Sequence, residues 1–431
     1  MIEYPNKLNI IFEKLLNYNA RPIIIGGFIR DYLLKIPSKD IDIEVYNISS
    51  FSELEVILQE FGNINNVGKS FGVCKLKYHD MELDFTLPRI DSKITVGHKG
   101  FDVEIDPDLN FYNATSRRDF TINAIGFDVV EKKILDPFHG MEDLKNKILR
   151  AVDEKTFIDD PLRILRAVQF CARFNLTIDK SLLKLSQNMV KNNLLKELPK
   201  DRIFQEIKKL LLKSEFPSTG FKILKKIGAH NYFIELQEIE NDNYDLLLQT
   251  VDEIKQLLIN NEKTNIVLIL ASICSYFSSG QTISFIQRLT DEKKLLSRVL
   301  VLLDNCSTID YINSNRLKDS QLYELATKVN IEELLILKKA IYLSQDNNKY
   351  KIINIIKKRA MELNILNKKM APLLQGKDIL ALQTSLKSTI KPSKEFTIIL
   401  NKAYEAQMNG EFFSHSQALI WLEKYLINSF S

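Results

Sequence analysis

Cysteine is scarce and scattered in this chain. The four residues Cys74, Cys171, Cys274 and Cys306 show no CxxC spacing, which argues against a disulfide framework and against a cysteine zinc site, and fits a reducing, cytoplasmic setting. Histidine is little more abundant. His79, His98, His139, His230 and His415 form no cluster, so each reads as structural rather than as a metal ligand. Long apolar runs are missing as well: the best, residues 266–277, is too short to span a bilayer, and no basic segment followed by an apolar run opens the chain. A soluble protein is expected. Neither sign of charge dominates, with 59 Lys and Arg against 55 Asp and Glu, so charge alone does not separate an RNA partner from ordinary solubility chemistry. There is no repeat of fixed period and no long low-complexity tract.

What is present is a globular composition, 45% hydrophobic over 431 residues, a length that one core seldom organises and that implies two or more domains. The first part reads as mixed α/β. An apolar run, Ile23-Ile24-Ile25, ends in Gly26-Gly27, and alternating segments follow at residues 40–46, 71–78 and 81–87. From about residue 143 the apolar spacing becomes helical, as in residues 162–174 and 203–212.

Four segments carry chemistry. In Asp40-Ile41-Asp42-Ile43-Glu44-Val45-Tyr46 the alternation puts Asp40 and Asp42 on one strand face, roughly 6.5 Å apart, close enough for both to ligate Mg²⁺. Glu82, Asp84 and Thr86 share a face in the next such segment and offer a further carboxylate. A lone D-x-D is more often a solvated strand face. Gly26-Gly27-Phe28-Ile29-Arg30-Asp31 follows a strand and precedes a helix-compatible stretch, suiting either a phosphate-binding turn or ordinary punctuation. Arg117-Arg118-Asp119-Phe120-Thr121-Ile122-Asn123-Ala124 groups two guanidinium groups with an acid and an amide; a surface Arg pair is the plain alternative. Asp159-Asp160-Pro161 begins a helix whose apolar face is Leu162, Leu165, Val168 and Ala172. Asp160, Arg163 and Arg166 fall on another face, although Asp160 is also a natural N-cap.

Taken together and in this order, these segments resemble those of class II tRNA nucleotidyltransferases and bacterial poly(A) polymerases. Asp136-Pro137-Phe138-His139-Gly140 and Asp201-Arg202-Ile203-Phe204-Gln205-Glu206 extend the likeness over the first half of the chain. The resemblance implies an α+β chain: a polymerase-beta-like nucleotidyltransferase head at 1–140, then an all-helical neck at 141–215, body at 216–360 and tail at 361–431. It implies Mg²⁺ on Asp40 and Asp42, with Asp84 a third catalytic acid, and nucleotide contacts at Gly27, Arg30, Arg118, Asp119, Asn123, Asp160, Arg163 and Arg166. Asp160 and Arg163 would read the base of CTP or ATP in place of a nucleic-acid template, and the RNA partner would be the 3′ end of tRNA. Two positions depart from the family: Asp159 where Glu is frequent, and Gln169 where Arg is frequent. Residues 88–116 are read as loop-rich, similar to the flexible loop of members that add the terminal A.

Residues 372–378 and 406–411 resemble carboxy-terminal segments of the same family, without several of its glycines. Some relatives carry an HD phosphohydrolase domain, but residues 269–276 hold no His-Asp. The expected activity is addition of C, C and A to tRNA. An A-adding enzyme or poly(A) polymerase shares the same head motifs, and an RNA-binding protein with a dead head is the alternative of another class. No protein partner is implied.

Overall fold

The structure is a computed structural model and describes residues 2–65, 72–93, 101–312, 317–346, 348–386 and 394–430. The chain divides into two compact units, Met1–Glu238 with Arg288–Thr290, and Ile239–Gln287 with Asp291–Ser431. The expected head and neck both lie in the first.

The first unit opens with α1 (Asn9–Asn17), β1 (Arg21–Ile25), α2 (Gly27–Leu33), β2 (Asp40–Tyr46) and α3 (Phe51–Leu58). Then come β3 (Ile64–Asn65), β4 (Val73–Tyr78), β5 (Met81–Thr86), a separate hairpin of β6 (Arg89–Lys93) and β7 (Phe101–Ile105), α4 (Phe111–Ser116), β8 (Gly126–Asp128) and β9 (Lys133–Leu135). The main sheet has the order β3-β4-β5-β2-β1-β8-β9, in which β2 and β5 run parallel. Ile23, Ile24 and Ile25 are all buried, as suits a central strand, and α1 and α2 pack against β1. In β2 and β5 the alternation holds: Ile41, Ile43, Leu83 and Phe85 are buried in the core while Asp40, Asp42, Glu82 and Asp84 share the other face.

Residues 88–116 correct an expectation. In place of a loop they contain the β6–β7 hairpin and α4, whose N-cap Asn110 accepts the Asn113 N–H at 2.9 Å. The hairpin escapes notice because its connection, residues 94–100, lacks a two-residue turn signature; it lies outside the described residues.

Beyond the sheet, α5 (Gly140–Lys145) begins where Asp136 accepts the N–H groups of Gly140 and Met141 at 2.7 and 2.9 Å. Asp136 is thus a helix cap. A Cβ on Gly140 would lie 2.3 Å from the backbone oxygen of Thr121 and 2.9 Å from Ile125 Cγ1. Gly140→Ala is therefore expected to destabilise the first unit by about 1–3 kcal/mol, read as a lower urea midpoint; an unchanged midpoint would contradict this.

There follow β10 (Ile148–Leu149), α6 (Glu154–Phe157), α7 (Leu162–Phe174), β11 (Thr177–Ile178), α8 (Lys180–Lys191), α9 (Lys200–Lys213) and α10 (Pro217–Ile227). The helical region is interrupted by the short parallel ladder of β10 and β11, for which two-residue strands leave no pattern in the sequence. Helix α7 buries Leu162, Leu165, Val168 and Ala172, packs against α9 and α10, and stops at Asn175, which has a left-handed φ of 52°.

In the second unit, Glu262–Cys274 is buried on nearly every side and packs against Asn241–Leu257, Lys293–Cys306 and Ile331–Ser344. This accounts for the apolar run in residues 266–277 as a central helix. Among the described residues no helix is long and apolar enough to cross a membrane. A further core joins Gly376–Leu386, Lys394–Met408 and His415–Phe430 through Ile379, Phe396, Ile399, Ala403, Ala418 and Leu422.

Candidate active site

The site is built on the rung where β2 meets β5. Asp42 stands in register with Asp84, and Asp40 with Glu82. Burial pushes the Asp42 carboxyl above its ordinary range; Arg118 opposes the shift, and Asp84 and Asp40 add to it. Carboxylates in such a row need positive charge. One source is Arg118, whose approach depends on the glycine turn: Gly26 has a φ of 75°, and a Cβ there would lie 2.9 Å from Arg118 Nη1 and 3.6 Å from Asp42 Oδ2. Gly27 is the first residue of α2 and has no such close neighbour.

A cavity of about 390 Å³ opens here, lined by Asp42, Thr86, Asp119, Asp160 and six arginines, Arg89, Arg117, Arg118, Arg163, Arg166 and Arg202. Glu44, two residues beyond Asp42 on the same strand face, is fully buried and accepts from Arg117 at 3.1 Å and from the Tyr46 hydroxyl at 2.8 Å. It fixes Arg117 from behind. Burial pulls the Arg118 guanidinium down from its ordinary value, Arg117 adds to that, and Glu44, Asp42 and Asp119 oppose it. A cluster of guanidinium groups around one cavity suits a polyanion.

Asp119 is the hub of the next layer. It accepts from Arg166 Nε at 2.6 Å, from Asn123 Nδ2 at 2.9 Å and from the Phe120 N–H at 2.8 Å. Burial alone would raise its carboxyl, but Arg166, Asn123 and Arg163 outweigh burial and hold it below the ordinary carboxylate range. Asn123 Oδ1 in turn accepts from Arg30 Nη1 at 2.6 Å. Arg30 also donates to Asp31 at 2.6 and 2.8 Å and stacks over Phe174 and Phe170, with ring centroids 4.5 and 5.1 Å away. Arg30 and Asn123, expected at the nucleotide, therefore stand inside the protein rather than on the cavity wall. They tie α2 to α7, because aromatic residues far along the chain cover the guanidinium.

Helix α7 starts one residue later than expected, at Leu162, with Pro161 before it. Asp160 still caps it, accepting the Leu162 N–H through Oδ1 at 3.1 Å, while its Oδ2 accepts from Arg202 at 3.1 Å. Arg163 donates to the carbonyls of Thr156 and Arg117 at 3.0 and 2.6 Å, which leaves further N–H groups of its fork for a ligand. Asp160, Arg163 and Arg166 thus share the cavity as the helical spacing implies. Gln169 is buried, so the departure there takes no charge from the cavity wall; Arg173 lies 3.7 Å from Asp31 and over Phe174.

Arg89, Arg202 and Glu44 escaped the sequence reading as site residues, and Arg117 entered it only as the partner of Arg118 in the Arg-Arg pair. The period-two alternation of β2 contains the signal for Glu44, and Arg117 adjoins a chosen residue. Arg89 and Arg202 carry no local signal of convergence.

Asp40, Asp42 and Asp84 offer oxygen donors alone, which suits a hard divalent cation. Among the described residues no three His, Cys, Asp or Glu side chains are gathered into a metal cage. A cation on this face would complete its shell with water and substrate phosphates, the habit of Mg²⁺.

Known families and structures match this chain over long stretches. Residues 23–150 match the poly A polymerase head domain, and residues 175–240 match the module described as a probable RNA and SrmB-binding site of polymerase A. The multifunctional CCA protein of Neisseria meningitidis serogroup C is 36% identical over 206 residues, 48% of this chain and 47% of that protein. The chain thus spans about half the length of the curated relatives it matches. Over the whole chain the fold is that of solved CCA-adding enzymes. The Bacillus stearothermophilus enzyme in complex with CTP has a TM-score of 0.73 at 20% identity, covering 99% of both chains. The Thermotoga maritima enzyme complexed with tRNA has a TM-score of 0.65 at 18% identity, covering 98% of this chain and 96% of that one. The first half of the chain is thus similar to the poly A polymerase head domain and to multifunctional CCA proteins, and the whole chain takes the fold of the solved CCA-adding enzymes.

Proposed function

We propose that this chain is a cytoplasmic tRNA nucleotidyltransferase that adds C, C and A to the tRNA 3′ end without a nucleic-acid template. The observation that carries the reading is one cavity in which Asp42 faces six arginines and Asp160. An acidic pole suits a cation and a 3′-hydroxyl, and a cationic wall suits a triphosphate. Arg117, Arg118 and Arg166 bind the triphosphate, Asp119 and Glu44 hold those arginines in place, and Asp84 completes the acidic face. A divalent cation of the Mg²⁺ class, held by Asp40 and Asp42, supplies neutralisation of phosphate charge and activation of the hydroxyl when bound. Asp160 and Arg163 read the base edge. Arg30 and Asn123 act behind the wall as the frame of the glycine turn, from which Gly27 opens α2.

The test is incorporation of labelled CTP and ATP into tRNA transcripts ending before CCA, after C and after CC. Ordered addition of C, C and a single A is expected. Activity confined to the CC-ending transcript would replace this reading by an A-adding enzyme, long A tails by a poly(A) polymerase, and no incorporation by an RNA-binding protein with a dead head. In the same assay Arg163→Ala is expected to weaken preference for CTP and ATP over UTP by about 1–3 kcal/mol, the worth of a bidentate base contact. Preference unchanged from the parent chain would show that the base is read elsewhere.

A further inference from the structure

The acidic row does not end at Asp84. Strand β4 lies antiparallel to β5, with Lys75 opposite Asp84 and Lys77 opposite Glu82, while β5 pairs with β2 on its other side. Two rungs therefore cross three strands on the same face: Lys75, Asp84, Asp42 and Lys77, Glu82, Asp40. Lys75 Nζ donates to both carboxylate oxygens of Asp84, at 2.8 and 3.1 Å. The third acid is thus held at both oxygens by an ammonium, while Asp42 feels the charge of Arg118.

A cross-strand Lys–Asp pair on an open sheet face ordinarily does little. This pair differs in its neighbours. The lysine side chain is about half exposed and carries its charge on a flexible four-carbon stem, whereas Asp84 is less exposed and in register with the partly buried Asp42. A cation drawing on Asp84 must displace Lys75 from its oxygens and meets the repulsion of the same ammonium.

We propose that Lys75 is a built-in counter-ion that competes with the divalent cation for Asp84 and so weakens cation binding to the chain until substrate phosphates add their charge. The inference rests on the reading of Asp40, Asp42 and Asp84 as the cation face. Its place in the reaction is that of a positioning residue, acting through Asp84.

The test is direct binding of Mn²⁺ to the full chain without nucleotide or RNA, followed by the loss of the free-ion electron paramagnetic resonance signal. Lys75→Met is expected to bind Mn²⁺ about three- to tenfold more tightly than the parent chain. Lys75→Arg, which keeps the charge, is expected to stay within about twofold of the parent. A purely structural lysine would not, on removal, tighten a cation. Binding in Lys75→Met that is unchanged, weaker or absent overturns the inference. Asp42→Asn separates it from the reading beneath it: Mn²⁺ binding that survives this change undiminished would remove the cation face and the inference together. Binding lost in Asp42→Asn but not tightened in Lys75→Met overturns the counter-ion role alone.

Discussion

Asp42→Asn is expected to lower nucleotide incorporation by about three orders of magnitude or more while leaving thermal stability within a few degrees of the parent chain. The two halves of this expectation come from the same feature. The Asp42 carboxyl is raised by burial and by Asp84 and Asp40, against the pull of Arg118, so its ionised form is disfavoured in the folded chain without a cation. A carboxyl whose folded pKa lies above its unfolded value subtracts stability once the pH exceeds the unfolded value, so at neutral pH the charge opposes folding. Asparagine keeps the shape and removes that charge, and Glu44 and Asp119 remain to balance Arg118. The reaction loses the anionic carboxylate that sits beside both Asp84 and the arginine wall. Parallel measurement of kcat for CTP addition and of the melting temperature checks both. Activity within tenfold of the parent would remove Asp42 from the reacting centre, and a fall of more than about ten degrees would show that the charge is structural.

The acidic face was legible because strand periodicity is local. Alternation in residues 40–46 and 81–87 is enough to assign Asp40, Asp42 and Asp84 to one side, and the structure keeps Asp42 and Asp84 in register. The pairing itself was not legible: β2 and β5 are parallel neighbours separated in the chain by α3, β3 and β4, and no local property of either strand names its partner. Helix α7 was legible for the same reason as the strands, through the spacing of its buried face. Arg30 shows the opposite case. Its motif places it beside a phosphate-type turn, but Phe170 and Phe174 cover it and Asn123 takes its Nη1. Burial decided by residues some 90 to 140 positions away leaves no mark on a hexapeptide. Arg202 is missed as a site residue on the same grounds, since its partner Asp160 lies 42 residues earlier.

That dependence on distant partners makes Asp119 consequential for the stability of the first unit. Asp119→Ala is expected to destabilise the unit by about 2–4 kcal/mol. A broken buried pair typically loses 3–5 kcal/mol, reduced here because Arg166 is 30% exposed toward the cavity and still has Glu206 3.9 Å away. The alanine leaves Arg166, Asn123 Nδ2 and the Phe120 N–H without their common acceptor, and with them the link from the cavity wall to Arg30 and α2. The sign of the pH dependence follows from the depressed carboxyl. Its folded pKa lies below the unfolded value of about 3.9, so its contribution is fully present above that value and is lost as the pH falls through the folded pKa. Urea unfolding should therefore show a gap between parent and Asp119→Ala that is constant from about pH 6 to 8 and narrows below about pH 4. A gap under 1 kcal/mol at neutral pH would mean that Arg166 finds adequate solvation in the cavity. A gap that persists undiminished in acid would assign the loss to packing rather than to the ion pair, and Asp119→Asn, which keeps the volume and an acceptor for the Phe120 N–H, would then be nearly as stable as the parent chain.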